Sequence, residues 1–153
     1  MAKPLSELGR DLRAGLELGL EKATHDLVIG LKQRGPYWTG DFEAAWRVEP
    51  GQKLIASNQA EGDVDFEKPN GRQVTDVVVP LTEVEQGYTI YNDMVYADIA
   101  MDLEPSPDGK YRHERPRATA ERDWFERYML GGEADRTLAA GMKQGMGLAG
   151  FNR

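Results

Sequence analysis

A leucine repeat over the first 34 residues limits what this chain of 153 residues can fold into. Apolar side chains recur there at intervals of three, four or seven, which is the spacing of one face of an α-helix. The pattern predicts a helix from about Leu5 to Arg34, roughly 45 Å long at 1.5 Å per residue. A helix of this kind is marginal alone and must be held by packing. Its apolar positions are Leu5, Leu8, Leu12, Leu16, Leu20, Ala23, Leu27 and Leu31.

Glycines interrupt the same helix on or beside the leucine stripe, and each costs about 1 kcal/mol relative to alanine. Their position predicts either close approach of another backbone or a bend. The opposite side carries a second apolar strip. That strip predicts contact with a partner subunit, or else it consists of scattered surface residues. The glycines are Gly9, Gly15, Gly19 and Gly30, and the second strip is Leu18 and Ile29 with Val28 beside them.

The ten residues from Tyr37 to Trp46 follow directly and concentrate aromatic side chains at one point. Thr39 is the predicted N-cap of a short helix, with acidic residues in its first turn. Phe42 and Trp46 then share one side of that turn at a spacing of four. We interpret this segment as a hinge block that locks the long helix onto a sheet.

The remaining chain alternates β-strand, loop and helix signals. Pro50-Gly51 is the predicted turn of a hairpin between residues 47–49 and 53–56, and Gly87 to Asn92 is the strongest strand signal. The run from Val77 to Pro80 predicts an edge strand. Further segments are a long polar loop or arm at 59–75, a short helix from Val95 to Leu103, a second amphipathic helix from Thr119 to Leu130, a break at Gly131-Gly132 and a third helical piece from Ala134 to Met142.

These segments predict one α+β domain over residues 1–153, in which a long N-terminal helix and a C-terminal helix pack on a small antiparallel β-sheet with a long loop or arm. The expected divisions are the long helix (1–36), the hinge block, sheet and short helix (37–104), a basic loop (105–117), C-terminal helices (118–142) and a tail (143–153). We expect the tail to be flexible until something binds it.

Charge is unevenly distributed along the chain. The net charge is −7, but residues 37–110 hold 5 basic and 15 acidic side chains, a net −10, while both ends are slightly basic. A sequence-independent nucleic-acid binder needs the opposite balance. The pattern favours head-to-tail association between copies, or else a solvated acidic surface. The basic loop from Lys110 to Arg117 could contact a phosphate backbone or the acidic segment of a neighbouring copy.

Composition and motifs exclude several classes of site. The chain has no cysteine, so a disulfide framework or a cysteine-based metal site is impossible. His25 and His113 stand far apart, and Asp63 to Glu67 lacks the glycine and glutamate of a calcium loop. Neither a serine elbow nor a phosphate-binding glycine loop occurs. We therefore predict no cofactor. The N-terminus does not read as a signal peptide, and no stretch is long and apolar enough to span a membrane.

One enzymatic alternative remains open. Asp41 and Glu43 lie among Tyr37, Trp38 and Trp46, and paired carboxylates beside aromatic platforms are used by glycosidases. Residues two apart on a helix point in different directions, however, and acids in a first turn already have a capping role. A cell-wall hydrolase is thus an alternative to a structural role. An acidic module that binds a host protein is another.

Two motifs in their order along the chain resemble a known family. They are Thr39-Gly40-Asp41-Phe42-Glu43-Ala44-Ala45-Trp46 and Tyr91-Asn92-Asp93-Met94-Val95-Tyr96-Ala97. Together with the leading helix, the polar middle and the C-terminal helix, they resemble the small neck and tail-completion proteins of long-tailed bacteriophages, which include minor tail components similar to the lambda tail protein Z. The resemblance covers about two-thirds of the chain. The chain differs in Tyr37-Trp38 before the first motif and in lacking a glycine after the second.

The resemblance implies a structural virion protein without catalytic residues. Such a subunit forms a homo-oligomeric ring at the head–tail junction, the head–tail connector, and assembles in the host cytoplasm. Its expected partners are copies of itself and neighbouring neck and tail proteins, and DNA would pass through the channel without specific binding. The acidic segment would partly line that channel. Our structural and interface candidates are Trp38, Thr39, Gly40, Phe42, Trp46, Asn92, Tyr96, Ala97, Arg112, Arg115, Arg117, Met146 and Phe151.

Overall fold

The computed structural model of the chain is an α+β fold, as predicted. It describes residues 4–35, 41–53, 74–94, 97 and 124–150. A long N-terminal helix and two C-terminal helices accompany a two-stranded antiparallel sheet. The elements in chain order are α1 (Leu5–Arg34), α2 (Asp41–Ala44), β1 (Trp46–Pro50), β2 (Tyr88–Asn92), α3 (Trp124–Leu130) and α4 (Glu133–Leu148).

Helix α1 has the bounds that the leucine spacing predicts, but its stripe is buried along only part of its length. Leu27 and Leu31 lie in the core, whereas Leu5, Leu8 and Leu12 are exposed. The helix ends where the Gly35 amide donates to the Leu31 carbonyl at 2.9 Å. The first two turns of α1 therefore project beyond the packed part of the domain.

Helix α4 packs antiparallel on α1 through glycines of both helices. A Cβ built on Gly141 would lie 2.5 Å from Ala23 Cα, and one on Gly145 would lie 2.6 Å from Gly19 Cα. The step from Gly141 to Gly145 on α4 thus corresponds to the step from Ala23 back to Gly19 on α1. The two helices therefore run in opposite directions. The predicted close approach of a second backbone to the glycine-bearing stripe is confirmed, and the second backbone belongs to the same chain.

One sequence prediction is wrong at this interface. The tail expected to be flexible from residue 143 is helical as far as Leu148. The glycines that resemble a flexible tail in sequence are instead what lets α4 lie close to α1. Of the second apolar strip, Val28 is fully buried within the chain, whereas Leu18 and Ile29 are half-buried, and their contact with a partner subunit stays a prediction.

The sheet pairs β1 with β2 from Trp46 opposite Asn92 to Pro50 opposite Tyr88. The strand predicted at 87–92 is confirmed within one residue. Lys53 lies outside any strand, and residues 54–56 of the predicted hairpin are outside the described residues. The predicted edge strand at Val77–Pro80 is wrong, because that segment is an extended coil fastened to α1 by side-chain contacts.

One hydrophobic cluster joins the helices to the start of the sheet. It consists of Leu27, Val28, Leu31, Phe42, Trp46, Ala97, Trp124, Tyr128 and Ala134. Of the predicted short helix only Ala97 is described, and it is helical and buried. Most of the arm and all of the basic loop lie outside the described residues. No helix in the described part has the length and apolar composition to cross a membrane.

Candidate functional site: the joint between helix and sheet

The two stretches that carry the family resemblance meet at Asn92. Its side-chain Nδ2 donates to the Phe42 carbonyl at 2.8 Å, and its Oδ1 accepts from the Met94 amide at 3.0 Å. The Asp93 amide donates to the Ala45 carbonyl at 3.0 Å. Residues 50 positions apart in the chain are therefore fastened into one joint, and the Asn92 side-chain amide supplies both a donor and an acceptor to it.

Aromatic rings fill the interior of this joint. Phe42 contacts Trp46 and Trp124 edge-on, with ring centroids 5.9 and 6.1 Å apart. Phe125 extends the cluster from Trp124 at 5.6 Å. Such edge-to-face pairs add about 0.5–1.5 kcal/mol each beyond the area they bury. The predicted burial of Phe42 and Trp46 in the hinge block is thus confirmed. The block packs against the C-terminal helix α3 through Trp124.

Trp46 has one unusual feature within this cluster. Its residue is 4 % exposed, and its Nε1 has no hydrogen-bond partner among the residues that the structure describes. A buried indole donor usually finds an acceptor, so this one lowers the stability that the burial of the ring provides. The aromatic packing therefore outweighs a polar cost at the first residue of β1.

A buried ion pair lies beside the aromatic cluster. Lys32 Nζ is 3.3 Å from Glu43 Oε1, and both side chains are 2 % exposed. Thr75 completes the arrangement, since its amide donates to Glu43 Oε1 at 2.8 Å and its carbonyl accepts from Lys32 Nζ at 2.9 Å. Two buried charges require this kind of additional hydrogen bonding to be tolerated. The pair fastens residue 75 to both α1 and α2.

The segment that follows, residues 74–86, runs along α1 and is called the strap below. Polar contacts hold it at three points: Thr75 on Lys32, Asp76 on His25 at 2.7 Å, and Glu83 and Glu85 on Arg13 at 3.4 and 3.0 Å. The first point is partly buried, because Thr75 is exposed but its partner Lys32 is buried, whereas the last point is exposed and screened by solvent. The strap is therefore anchored firmly at Thr75 and more loosely toward Glu85.

His25 lies between two carboxylates at the middle of the strap. Its Nε2 is 2.7 Å from Asp76 Oδ1 and its Nδ1 is 3.1 Å from Asp26 Oδ1. Both contacts are hydrogen bonds only when the ring carries two protons, because an ionised carboxylate only accepts. The hydrogen bond from His25 holds the pKa of Asp76 below its ordinary value. Burial raises the pKa of Asp26, but hydrogen bonds with Lys22 and His25 together lower it by more than burial raises it. The net shift is therefore downward.

A shallow cleft of about 330 Å³ opens between α1 and α4. Arg34 pairs with Glu133 at its edge, and the Tyr128 hydroxyl donates to the Leu27 carbonyl at 3.3 Å on its floor. Burial raises the pKa of Tyr128, so this hydroxyl stays protonated. The polar groups of the cleft thus satisfy one another, as in a seam between helices. No group of three or more potential metal ligands occurs in the described ranges.

The candidate residues from the sequence fall into three groups. Phe42, Trp46, Asn92 and Ala97 come together in the joint. Met146 lies apart, half-buried against Gly19 of the same chain, so its side chain serves the α1–α4 contact. Outside the described residues lie Trp38, Thr39, Gly40, Tyr96, Arg112, Arg115, Arg117 and Phe151.

Lys32 and Thr75 are the residues of the joint that sequence reasoning missed. Lys32 follows Leu31 on α1 and reads as an ordinary solvated lysine, and Thr75 lies in a polar stretch. Neither has a local spacing to Glu43 that would reveal the contact. The single available signal is Glu43 itself, an acid placed between two aromatic residues of a block predicted to be buried.

Comparison with known proteins adds no assignment to this geometry. No protein-family model matches the chain, and neither a curated protein nor a solved structure is similar to it.

Proposed function

We propose that this chain is a structural virion protein, a ring-forming neck or tail-completion subunit at the head–tail junction of a tailed bacteriophage. The observation that carries the proposal is the Asn92–Phe42 contact. The two motifs on which the resemblance rests are distant in sequence, yet they form one joint. Because the two motifs contact each other in the fold, we expect a family that shares this fold to carry both of them.

The geometry of the joint favours a scaffold over a catalytic site. Its two charged side chains, Lys32 and Glu43, are buried and are engaged with each other and with Thr75. The hydrolase alternative needs Glu43 as a proton donor or nucleophile at a surface open to a polysaccharide. A carboxylate that is 2 % exposed and held by Lys32 offers no such surface. The hydrolase alternative therefore loses Glu43, one of its two proposed catalytic residues.

The proposed ring has an electrostatic side that the exposed strap supports. Glu83, Glu85 and Asp76 lie on the surface of the strap, within the acidic middle of the chain. Acidic groups that face a channel would keep passing DNA from adhering. If contacts between subunits join this acidic segment to a basic one, raised salt should weaken assembly. Assembly that is indifferent to salt would remove the electrostatic part of the proposal.

A genetic experiment tests the role directly. A stop codon in the gene for this chain, in the phage genome that carries it, should yield filled heads and complete tails that remain unjoined. Supplying the wild-type chain should restore joined particles, and so should the doubly substituted chain Lys32→Met/Glu43→Leu, which lacks the carboxylate without leaving an uncompensated buried charge. Joined, infective particles without the chain would overturn the proposed role. Cell-wall clearing by the purified chain that is lost in Lys32→Met/Glu43→Leu, while the helical circular dichroism of that variant stays as in the wild type, would instead support the hydrolase.

A further inference from the structure

His25 lies between two carboxylates that belong to different parts of the fold. Its Nε2 is 2.7 Å from Asp76 Oδ1 on the strap, and its Nδ1 is 3.1 Å from Asp26 Oδ1 on α1. Each ring nitrogen needs a proton to make its contact, because an ionised carboxylate only accepts hydrogen bonds. A neutral ring carries one proton, so one of its two nitrogens then turns a lone pair toward a carboxylate.

The two carboxylates depend on His25 to different extents. Asp26 Oδ1 also accepts a hydrogen bond from Lys22 on the same helix. Asp76 Oδ1 accepts from the Val77 amide at 2.9 Å, but that bond lies within the strap, so among the described residues His25 is what joins the Asp76 carboxylate to α1. A neutral ring can keep Asp76 only through a weaker, uncharged donor, and only with its Nδ1 lone pair against Asp26. Loss of the second proton therefore weakens the attachment of the strap.

Fixed contacts on both sides limit the part of the strap that this change affects. Thr75 is joined to the buried Lys32, and the Pro80 carbonyl accepts from the Tyr88 hydroxyl on β2. The span between these anchors includes Val79, which is 8 % exposed. Loosening of residues 76–79 would thus move a short segment and uncover one apolar side chain.

The ring is the group in this region that responds near neutral pH. Imidazole is the one side chain with an ordinary pKa between about pH 5 and 8. Carboxylates, phenols, ammonium and guanidinium groups ordinarily titrate outside that range. The charged and titratable groups around the ring are Glu21, Lys22 and Asp26 of α1, Asp76 of the strap, Lys32 farther along α1, and Arg34, Tyr128 and Glu133 at the cleft that Asp26 also lines.

We infer that His25 is a pH-sensitive clamp, which holds residues 76–79 of the strap against α1 when the imidazole carries two protons and loosens them when it loses one. Closure of the strap and binding of the second proton favour each other, so the closed form is present at lower pH and declines as the pH rises through the imidazole titration. This device goes beyond the proposed ring, because it operates within one chain.

Electron paramagnetic resonance of a nitroxide at Val78→Cys tests the clamp, because the chain contains no cysteine of its own and Val78 is 88 % exposed. The mobile fraction of the spectrum should rise roughly threefold between about pH 5.5 and about pH 8, as a charged donor is exchanged for a neutral one. A nitroxide at Leu130→Cys, exposed and outside the strap, should give the same spectrum at both pH values. No rise at Val78, or an equal rise at Leu130, would overturn the inference.

Two substitutions in the Val78→Cys chain separate the clamp from other effects of pH. His25→Ala removes the contact, so the label should be mobile at both pH values. In Asp26→Asn the side-chain amide can donate to Nδ1 of a neutral ring while Nε2 keeps its proton for Asp76, so the label should stay immobile at both. A label that is immobile in His25→Ala, or that responds to pH in Asp26→Asn as it does without that substitution, would contradict the clamp. Helical circular dichroism confirms that both variants are folded.

Discussion

Lys32 and Glu43 face each other inside the domain at 3.3 Å, and neither side chain is more than 2 % exposed. The pair connects the long helix to the hinge block, and through Thr75 it also fixes the start of the strap. Removing one partner leaves the other as an uncompensated buried charge. Removing both leaves an apolar contact between two elements that already pack together.

Single substitutions at this pair should therefore be far more harmful than the double substitution. Lys32→Met or Glu43→Leu alone should lower the free energy of unfolding by about 3–5 kcal/mol. The double variant should recover most of that loss. Denaturant unfolding of the four proteins forms a double-mutant cycle that measures the coupling. The exposed pair Arg13–Glu17 is the control and should couple by no more than about 1 kcal/mol. Additive losses at Lys32 and Glu43 would contradict the pairing.

Substituting alanine for Gly145 of α4 and for Gly9 of α1 should change the stability of the fold in opposite directions. In Gly145→Ala the new Cβ would lie 2.4 Å from the Leu18 carbonyl oxygen, so overpacking should cost about 1–3 kcal/mol. In Gly9→Ala the Cβ meets open space, so the better helix propensity should stabilise the chain by up to about 1 kcal/mol. Thermal unfolding of the two variants measures both effects. Equal shifts in one direction would mean that α4 does not lie against α1 in this register.

Asn92 should be more important to stability than its half-exposed position on the sheet indicates. Asn92→Ala leaves the Phe42 carbonyl and the Met94 amide without their partner, at a cost of about 1–3 kcal/mol. Asn92→Asp keeps the acceptor for Met94 but turns a carboxylate toward the Phe42 carbonyl, so it should not rescue. Gln144→Ala, on the exposed face of α4, should stay within about 0.5 kcal/mol. Denaturant midpoints that match for Asn92→Ala and Gln144→Ala would count against the joint.

Acid should loosen the strap. The folded-state pKa values of Asp26 and Asp76 lie below their ordinary values, so the unfolded chain binds protons more readily than the folded one. The resulting stabilisation is present above about pH 4, the ordinary aspartate pKa, and is lost as the pH falls through the lower folded-state values. Asp76→Asn should make this decline shallower. Hydrogen exchange of residues 74–86 across that range measures the effect, and identical pH profiles for variant and wild type would refute it.

Much of the fold follows from local patterns in the sequence. The bounds of α1 were predictable because a three–four leucine spacing over 30 residues fits only one regular structure. The strand at Tyr88–Asn92 was predictable because β-formers are concentrated there between a glycine and an asparagine. Phe42 and Trp46 were predictable as core because two large rings lie one helical turn apart.

The remaining features depend on contacts between distant residues. Gly141 and Gly145 resemble a flexible tail in sequence, and only their position against Ala23 and Gly19 shows that they permit close packing. Deleting residues 141–153 should accordingly destabilise the fold, whereas a tail that is flexible until something binds it would contribute little to folding. The Lys32–Glu43–Thr75 contacts have no characteristic spacing. Val78 is exposed because Thr75 and Asp76 are anchored to α1, which no hydropathy pattern indicates.

We propose that this chain associates with its own copies into a closed ring. Negative-stain imaging of the purified chain at high concentration, combined with its mass from light scattering, tests that claim most directly. A closed ring should appear as round particles with a central channel and a mass that is an integral multiple of 17.1 kDa. A monomer, or a compact two-fold dimer without a channel, would contradict it.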